Sequence, residues 1–457
     1  MCWHRREQDR LEEGRDDWME EYLNKLLEQI HCRQAREMVG EEIRNHILDQ
    51  AQANEQTGMG KREALEEAVR DMGDPVEAGT ALNRVHRPRT DWRMLVLIGI
   101  ISILSAFVHA GIGIREESLG AVYGLRHGTV VFIGYMVMLA VYRMDYSYIG
   151  KYAKRIAALF WLGAVLHHFI GMEQNGMMRW VSLGTLGSVS VQELIYLYIP
   201  VYGALLYRYR GKGYRAAGTC VLWMLFPLLT LTLRMNCLSA SMLLFFVLAA
   251  MFSTAVGKGW FEVRKKRVLA GFWAVFGLLP ALGVAAAVFG NYLATYQTER
   301  IKALVGQGSS YYDYQRAQAA EYLKYSRLIG SSGEEMMNLP GIQNDYLLNF
   351  VANYYGMAVM LVISLLLLAV AARVIQVSFG QGNPLGMIMG CGCGLFFEIV
   401  TVIDILHFFG WIPSTRLFLP FFSAGGSGIA VAYVLAGIVL SVYRYQNVKG
   451  NLRSDFS

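Results

Sequence analysis

Three carboxylates in this chain stand where a charge is costly. Glu193, Glu398 and Asp404 each fall within an apolar stretch, and an ionisable side chain at such a position points to pairing, proton transfer or a polar path. A fourth, Asp345, opens an apolar run that follows a long polar segment. Two roles suit a carboxylate there. It can act as a base for a hydroxyl proton, or it can cap a helix, accepting free N–H groups at the positive end of the helix dipole. Arg179, Arg300, Lys302 and Arg316 are side chains of the kind that pair with phosphate oxygens. Trp180, beside Arg179, also suits an interfacial anchor. His167, His168 and His407 read as interior or interface residues. The six cysteines are scattered and form no CxxC pair or Cys/His cluster, so neither a disulfide nor a metal site is expected.

The elements that must hold these residues are largely membrane helices. With 54% hydrophobic and 17% charged residues, the chain is too apolar for ordinary soluble domains. Residues 1–92 carry 21 of the 36 acidic and 14 of the 42 basic residues. The prefix is therefore acidic and the remainder basic and apolar. Lys and Arg in cytoplasmic loops account for that basic excess, and no nucleic-acid partner is needed. Apolar segments at about 94–113, 128–144, 156–171, 193–209, 216–233, 238–256, 267–290, 346–372, 385–409 and 420–443 mostly approach the roughly 20 residues a spanning helix needs. The expected fold is an all-α integral membrane protein of about ten transmembrane helices. Arg143, Lys151, Lys154, Arg155, Arg208, Arg210, Lys212, Arg215, Lys258, Arg264–Arg267 and Arg373 mark one side as cytoplasmic, with both termini inside. The charged start is unlike a cleavable signal peptide. One connection, residues 291–345, is far longer than the rest and falls on the outer face, between the seventh and eighth spans. Its Tyr-, Gln- and Arg-rich sequence, amphipathic over Ala317–Leu328, predicts an ordered segment over the bundle.

Ahead of the membrane part, residues 1–90 predict a small cytosolic helical bundle. A long helix is expected from Asp16 to about Gln56, with Trp18, Tyr22, Leu26, Ile30, Ile43 and Ile47 along one face. A second helix, Lys61–Met72, ends at Gly73 with Pro75 beyond, and a third runs from Val76 toward Val85. The stretch EALEEAVRDMGDPVEAGTALNRVHRP resembles permease-prefix domains. Residues 446–457 remain as a cytosolic tail.

GWIPSTRLFLPFFSAGGSG, Gly410–Gly428, is similar to the signature Pro-x-Thr-Gly-x-x-Leu-Pro-x-x-Ser-x-Gly-Gly-Ser of the FtsW/RodA/SpoVE (SEDS) family. Pro413, Thr415, Leu419, Pro420, Ser423, Gly425, Gly426 and Ser427 match, and Arg416 replaces a glycine. NLPGIQNDYLLNFVANYYG aligns with the family's outer-loop motif at Leu339, Pro340, Asp345 and Gly356. Tyr296, Arg300 and Gln315 match the start of that loop. NGMMRWVSLG carries the family's Asn175, Gly176, Arg179 and Trp180, and Glu193 matches the glutamate of its QPSE motif. These matches run from about Asp145 to Tyr445, within a SEDS-like region of residues 93–445.

The resemblance implies a peptidoglycan glycosyltransferase that joins lipid II units for division, cell shape or the spore envelope, with inversion at the sugar. It implies Asp345 as the catalytic residue and Arg179, Trp180, Glu193, Arg300, Lys302 and Gln315 as substrate contacts. A class B penicillin-binding protein transpeptidase is the implied partner and the bacterial cell membrane the implied location. No cofactor is required, although a divalent cation is compatible. Tyr196 stands for the family's lysine, Asn236 for an aspartate, and ANYYG for GEELG. These departures keep a catalytically inactive scaffold or a binder or flippase of lipid-linked precursor as the alternative.

Overall fold

A computed structural model describes residues 18–115, 120, 122–174, 177–184, 187–235, 237–289, 320, 323–333, 341–412 and 415–446. The chain divides into two compact units, one built on residues 1–90 and the other on residues 91–443.

In the first unit the expected long helix is two, α1 (18–28) and α2 (Arg33–Gln56). No Gly or Pro marks the break. After Leu26 and Leu27 the chain tightens into i−3 hydrogen bonds, and the Ile30 carbonyl accepts from Arg36 Nε. The reversal brings α2 back along α1, with Gly40 against Leu27 and Arg44 paired with Glu20, and Leu23, Leu26, Ile30, Val39 and Ile47 are all buried; one straight helix could not make those contacts. Trp18, expected on the packed face, is 50% exposed. α3 (Lys61–Asp71) ends at Gly73, φ 75°, where a left-handed residue suits glycine. α4 (Pro75–His86) begins with Pro75 at its first position and Asp74 accepting the Val76 N–H at 2.9 Å.

The second unit is a polytopic helical bundle. α5 (Trp92–Arg115) and α6 (Val122–Arg143) are followed by the short α7 (Ser147–Lys151) and by α8 (Ala153–Ile170). Next comes a small antiparallel sheet that the sequence reading did not foresee, β1 (Met172–Gln174), β2 (Met177–Ser182) and β3 (Ser188–Ser190). α9 (Val191–Leu194) runs through a 3₁₀ turn into α10 (Tyr198–Arg208). α11 (Tyr214–Leu229) and α12 (Leu238–Gly257) follow, and a wide π turn, Ala274–Leu278, joins α13 (Lys265–Trp273) to α14 (Leu279–Phe289). Further along the chain lie α15 (Leu347–Tyr354), α16 (Met357–Phe379), α17 (Pro384–Phe408) and α18 (Gly426–Arg444). Among the described residues, eight helices are long and apolar enough to cross a membrane. The third and fourth expected spans fall on α8 and on the interrupted 191–208 stretch, which are not among those eight.

Packing puts α17 near the middle of the bundle. A methyl on Gly392 would lie 2.5 Å from Met251 Sδ of α12 and 2.8 Å from Ile199 of α10, so the absent side chain is what lets three helices meet. Asp91, 2% exposed, pairs with Arg373 at 2.9 Å and accepts the Met94 N–H. That pair fastens the start of α5 to α16.

The expected eighth span is broken. Gly356, φ 105°, separates α15 from α16, and a Cβ there would strike the backbone of Leu328 and Ile329. Backbone groups freed by such a break at membrane depth need partners. Residues 327–332 supply them: Met357 N–H donates to Arg327, Ala358 N–H to Leu328, and Ser332 N–H to Asn353.

Candidate functional site

Two polar clusters flank the 415–428 stretch. The first gathers around Asp345, which is partly exposed in the turn 341–346. The N-cap of α15 is Tyr346, without a side-chain cap bond, and Asp345 directly precedes it. Asp345 interacts electrostatically with Asp404 and His407 of α17. Asp404 and His407, three residues apart, share one face of α17. The His407 ring lies 5.0 Å from that of Tyr346, and its Nδ1 meets the Ile412 carbonyl at 3.2 Å. His407, read as an interior or interface residue, is buried and also belongs to the Asp345 neighbourhood.

The second cluster gathers around Arg179 and Glu193. Strand β2 carries Arg179 and Trp180 in succession, so their side chains leave opposite faces of the sheet. Trp180 pairs with Met172 and Ser190. Arg179 interacts with Tyr196 and with Cys237, whose thiol donates to Gln192 Oε1 at 2.9 Å. The charge of Arg416 also acts on this thiol. Glu193 accepts the Gly428 N–H. Tyr196 is 1% exposed and lies against Phe396 and Phe418.

The connecting stretch is shaped by its backbone. Arg416 has φ 54° and Phe421 φ 63°. At Arg416 the left-handed conformation gives a physical reason for the glycine of the related signature. Ser423 Oγ accepts the Leu419 N–H at 2.7 Å, Ser427 Oγ accepts the Ser190 N–H at 2.9 Å, and the Thr415 carbonyl accepts from Ser239. Pro420 lies in the turn before Ser423, and Gly425 and Gly426 lead into α18. The Ala424 N–H donates to Gln343, tying this stretch to the Asp345 turn. Pro413, Arg300, Lys302, Gln315 and Arg316, and most of the 291–345 connection, lie outside the described residues. Among the described residues, no group of three or more His, Cys, Asp or Glu is placed to hold a metal ion.

Sequence reading passed over Gln192, Cys237, Ser105, His109 and His127. The signal for the last three was available: a serine and two imidazoles in strongly apolar helices.

The long apolar helices and the polar clusters they carry define a polytopic helical membrane protein. The chain belongs to the FtsW/RodA/SpoVE family, described as a cell cycle protein family, whose profile matches residues 88–448. It is 25% identical over 371 residues to a probable peptidoglycan glycosyltransferase FtsW of Methylococcus capsulatus, covering 76% of this chain and 87% of that one. Its identity to the corresponding protein of Thioalkalivibrio sulfidiphilus is 26% over 407 residues, 85% and 96% of the two chains. Among solved structures, a chain from a peptidoglycan synthase complex, studied for how it coordinates polymerization and crosslinking, superposes with a TM-score of 0.64 at 21% identity. That match covers 78% of this chain and 99% of the other. The rod shape determining protein RodA of Thermus thermophilus gives 0.54 at 17% identity, covering 78% and 97%.

Proposed function

We propose that this chain is a peptidoglycan glycosyltransferase that extends glycan strands from lipid II on the outer face of the bacterial membrane. The observation that carries the reading is Asp345, partly exposed and electrostatically coupled to Asp404 and His407, in a chain whose relatives are named as peptidoglycan glycosyltransferases. In the reaction, the acceptor sugar's hydroxyl oxygen forms the new bond to the anomeric carbon of the donor as the bond from that carbon to the diphosphate breaks. The electron pair leaves with undecaprenyl diphosphate, which needs no general acid. The hydroxyl proton passes to Asp345. Arg179 and Arg416, with Arg300, Lys302 and Arg316 from the outer connection, offset the charge that develops on the diphosphate; Gln315 and Trp180 contribute contacts to the lipid-linked sugar. Glu193, hydrogen-bonded to Gly428, orders the segment where Arg179 and the signature meet.

Both termini are cytoplasmic in this reading, supported by the basic loops 151–155, 208–215 and 258–267. Residues 1–90 serve as a docking or regulatory module, and residues 446–457 as a tail. A class B penicillin-binding protein crosslinks the product, in keeping with the synthase complex whose chain shares the fold. The second reading, a scaffold that binds precursor without polymerising it, is favoured by Tyr196. A buried aromatic occupies the place of the family's lysine, and one cation is lost from the second cluster. Polymerisation of lipid II by the purified chain, alone and with the transpeptidase, separates the two. Strands from wild type but not from Asp345→Ala support the enzyme. Lipid II binding without strands in any pairing supports the scaffold.

A further inference from the structure

Beneath the Asp345 turn lies a group of buried polar side chains that the proposed reaction does not use. Ser105 and His109 of α5 are fully buried, and His127 of α6 is 5% exposed. The two imidazoles stack with centroids 3.5 Å apart and planes 6° from parallel. They can do so because α5 and α6 are in close contact: a methyl on Gly124 would lie 2.5 Å from Ala110 Cα. Ser105 Oγ is 2.9 Å from His127 Nε2 and donates to the Phe422 carbonyl at 3.4 Å. His109 Nδ1 donates to the Ser105 carbonyl at 3.0 Å, and its ring leans on the Gln343 backbone, with Nε2 short of a well-formed hydrogen bond. Gln343 in turn accepts the Ala424 N–H at 2.9 Å. Buried polar groups cost free energy that apolar packing would not. These sit under two stretches of irregular backbone, one two residues from Asp345 and the other flanking Ser423.

We infer that Ser105, His109 and His127 form a buried clamp that positions the Asp345 turn against the Phe422–Ala424 stretch. The clamp rests on the glycosyltransferase reading and deepens it: these are positioning residues that act through Asp345. The bond from His127 to Ser105 orients the hydroxyl toward Phe422, while the stacked His109 ring supports Gln343. A base held by a network of this kind keeps its approach to the acceptor hydroxyl, and small displacements of a reacting group are costly in rate.

The test compares the full-length protein in lipid with His127→Phe, which keeps an aromatic ring and loses the bond, and His127→Gln, whose amide can replace Nε2. Ser105→Ala serves as a second disruption. For His127→Phe and Ser105→Ala, kcat for lipid II polymerisation falls about tenfold with KM within about twofold, and His127→Gln recovers most of the loss. Hydrogen exchange at residues 341–346 and at Ala424 quickens in the two disrupted variants and not in His127→Gln, while α16 and α17 keep their protection. Unchanged exchange and rate in His127→Phe overturn the clamp, as does a loss that His127→Gln does not recover. If wild type makes no strands while exchange still responds as described, the glycosyltransferase reading fails and the positioning of the turn stands.

Discussion

The two polar clusters differ in the kind of group they collect. Around Asp345 there are carboxylates and an imidazole, groups that exchange protons. Around Arg179 there are guanidinium groups, a thiol and an amide, and Glu193 is held by a backbone N–H. The 415–428 stretch touches both, through Ala424 to Gln343 on one side and through Thr415, Ser427 and Gly428 on the other. Under the proposed reaction the contrast is a division of labour: the Asp345 cluster would serve the proton step and the Arg179 cluster the anion.

That division can be broken by kinetics. Asp345→Ala carries the largest expected effect, a loss of at least about a hundredfold in lipid II polymerisation with precursor binding retained; loss of binding with unchanged turnover of bound precursor would reverse the assignment. Arg179→Met should act mainly on KM, raising it by about tenfold, with Arg179→Lys recovering part, because a point charge replaces part of a bidentate fork. A pure kcat effect there would merge the two clusters into one. Ser423→Ala removes the bond to the Leu419 N–H in a buried turn and should cost about 1–3 kcal/mol of stability. It should lower kcat and raise KM together, since the stretch serves both clusters; thermal unfolding beside the kinetics checks this.

The smallest effect lies outside both clusters. Tyr22 in the first unit donates to the Met72 carbonyl at 3.2 Å, and burial, aided by the Asp74 charge, pushes its phenol above the ordinary 10.0. A raised value in the folded state means that stability is fully present below pH 10.0 and is lost as pH rises through the raised value. Tyr22→Phe should cost about 1 kcal/mol at neutral pH and flatten that alkaline loss. Hydrogen exchange of α1 and α3 measures it. Polymerisation should stay unchanged; a fall would give the prefix a part in the chemistry.

Much of the scaffold was legible because it depends on local rules. Long apolar runs marked α5, α6, α11, α12, α16, α17 and α18. Gly73 and Pro75 marked the turn between α3 and α4. Asp345, Arg179, Glu193 and the 410–428 stretch stood out through residue type and resemblance. The break at 29–32 was not legible, because no Gly or Pro signals it and only the shared core of α1 and α2 requires it. The sheet at 172–190 escaped for a related reason: its strands are short, and their pairing is set by contacts across the sheet rather than by alternation along any one strand. Gly356 was visible, but its role depends on residues 327–332 arriving to satisfy the freed backbone.

The sequence by itself determined the class of protein and the inventory of reactive groups. Hydropathy over a span's length and the costs of caps and turns are properties of short segments. Only the tertiary structure decided which reactive groups meet. Asp345 finds Asp404 and His407 from a different helix, Arg179 comes to Cys237 from another segment, and His109 stacks on His127 because Gly124 lets two helices approach. Such meetings depend on contacts between residues far apart in the chain, and those are fixed only when the helices pack.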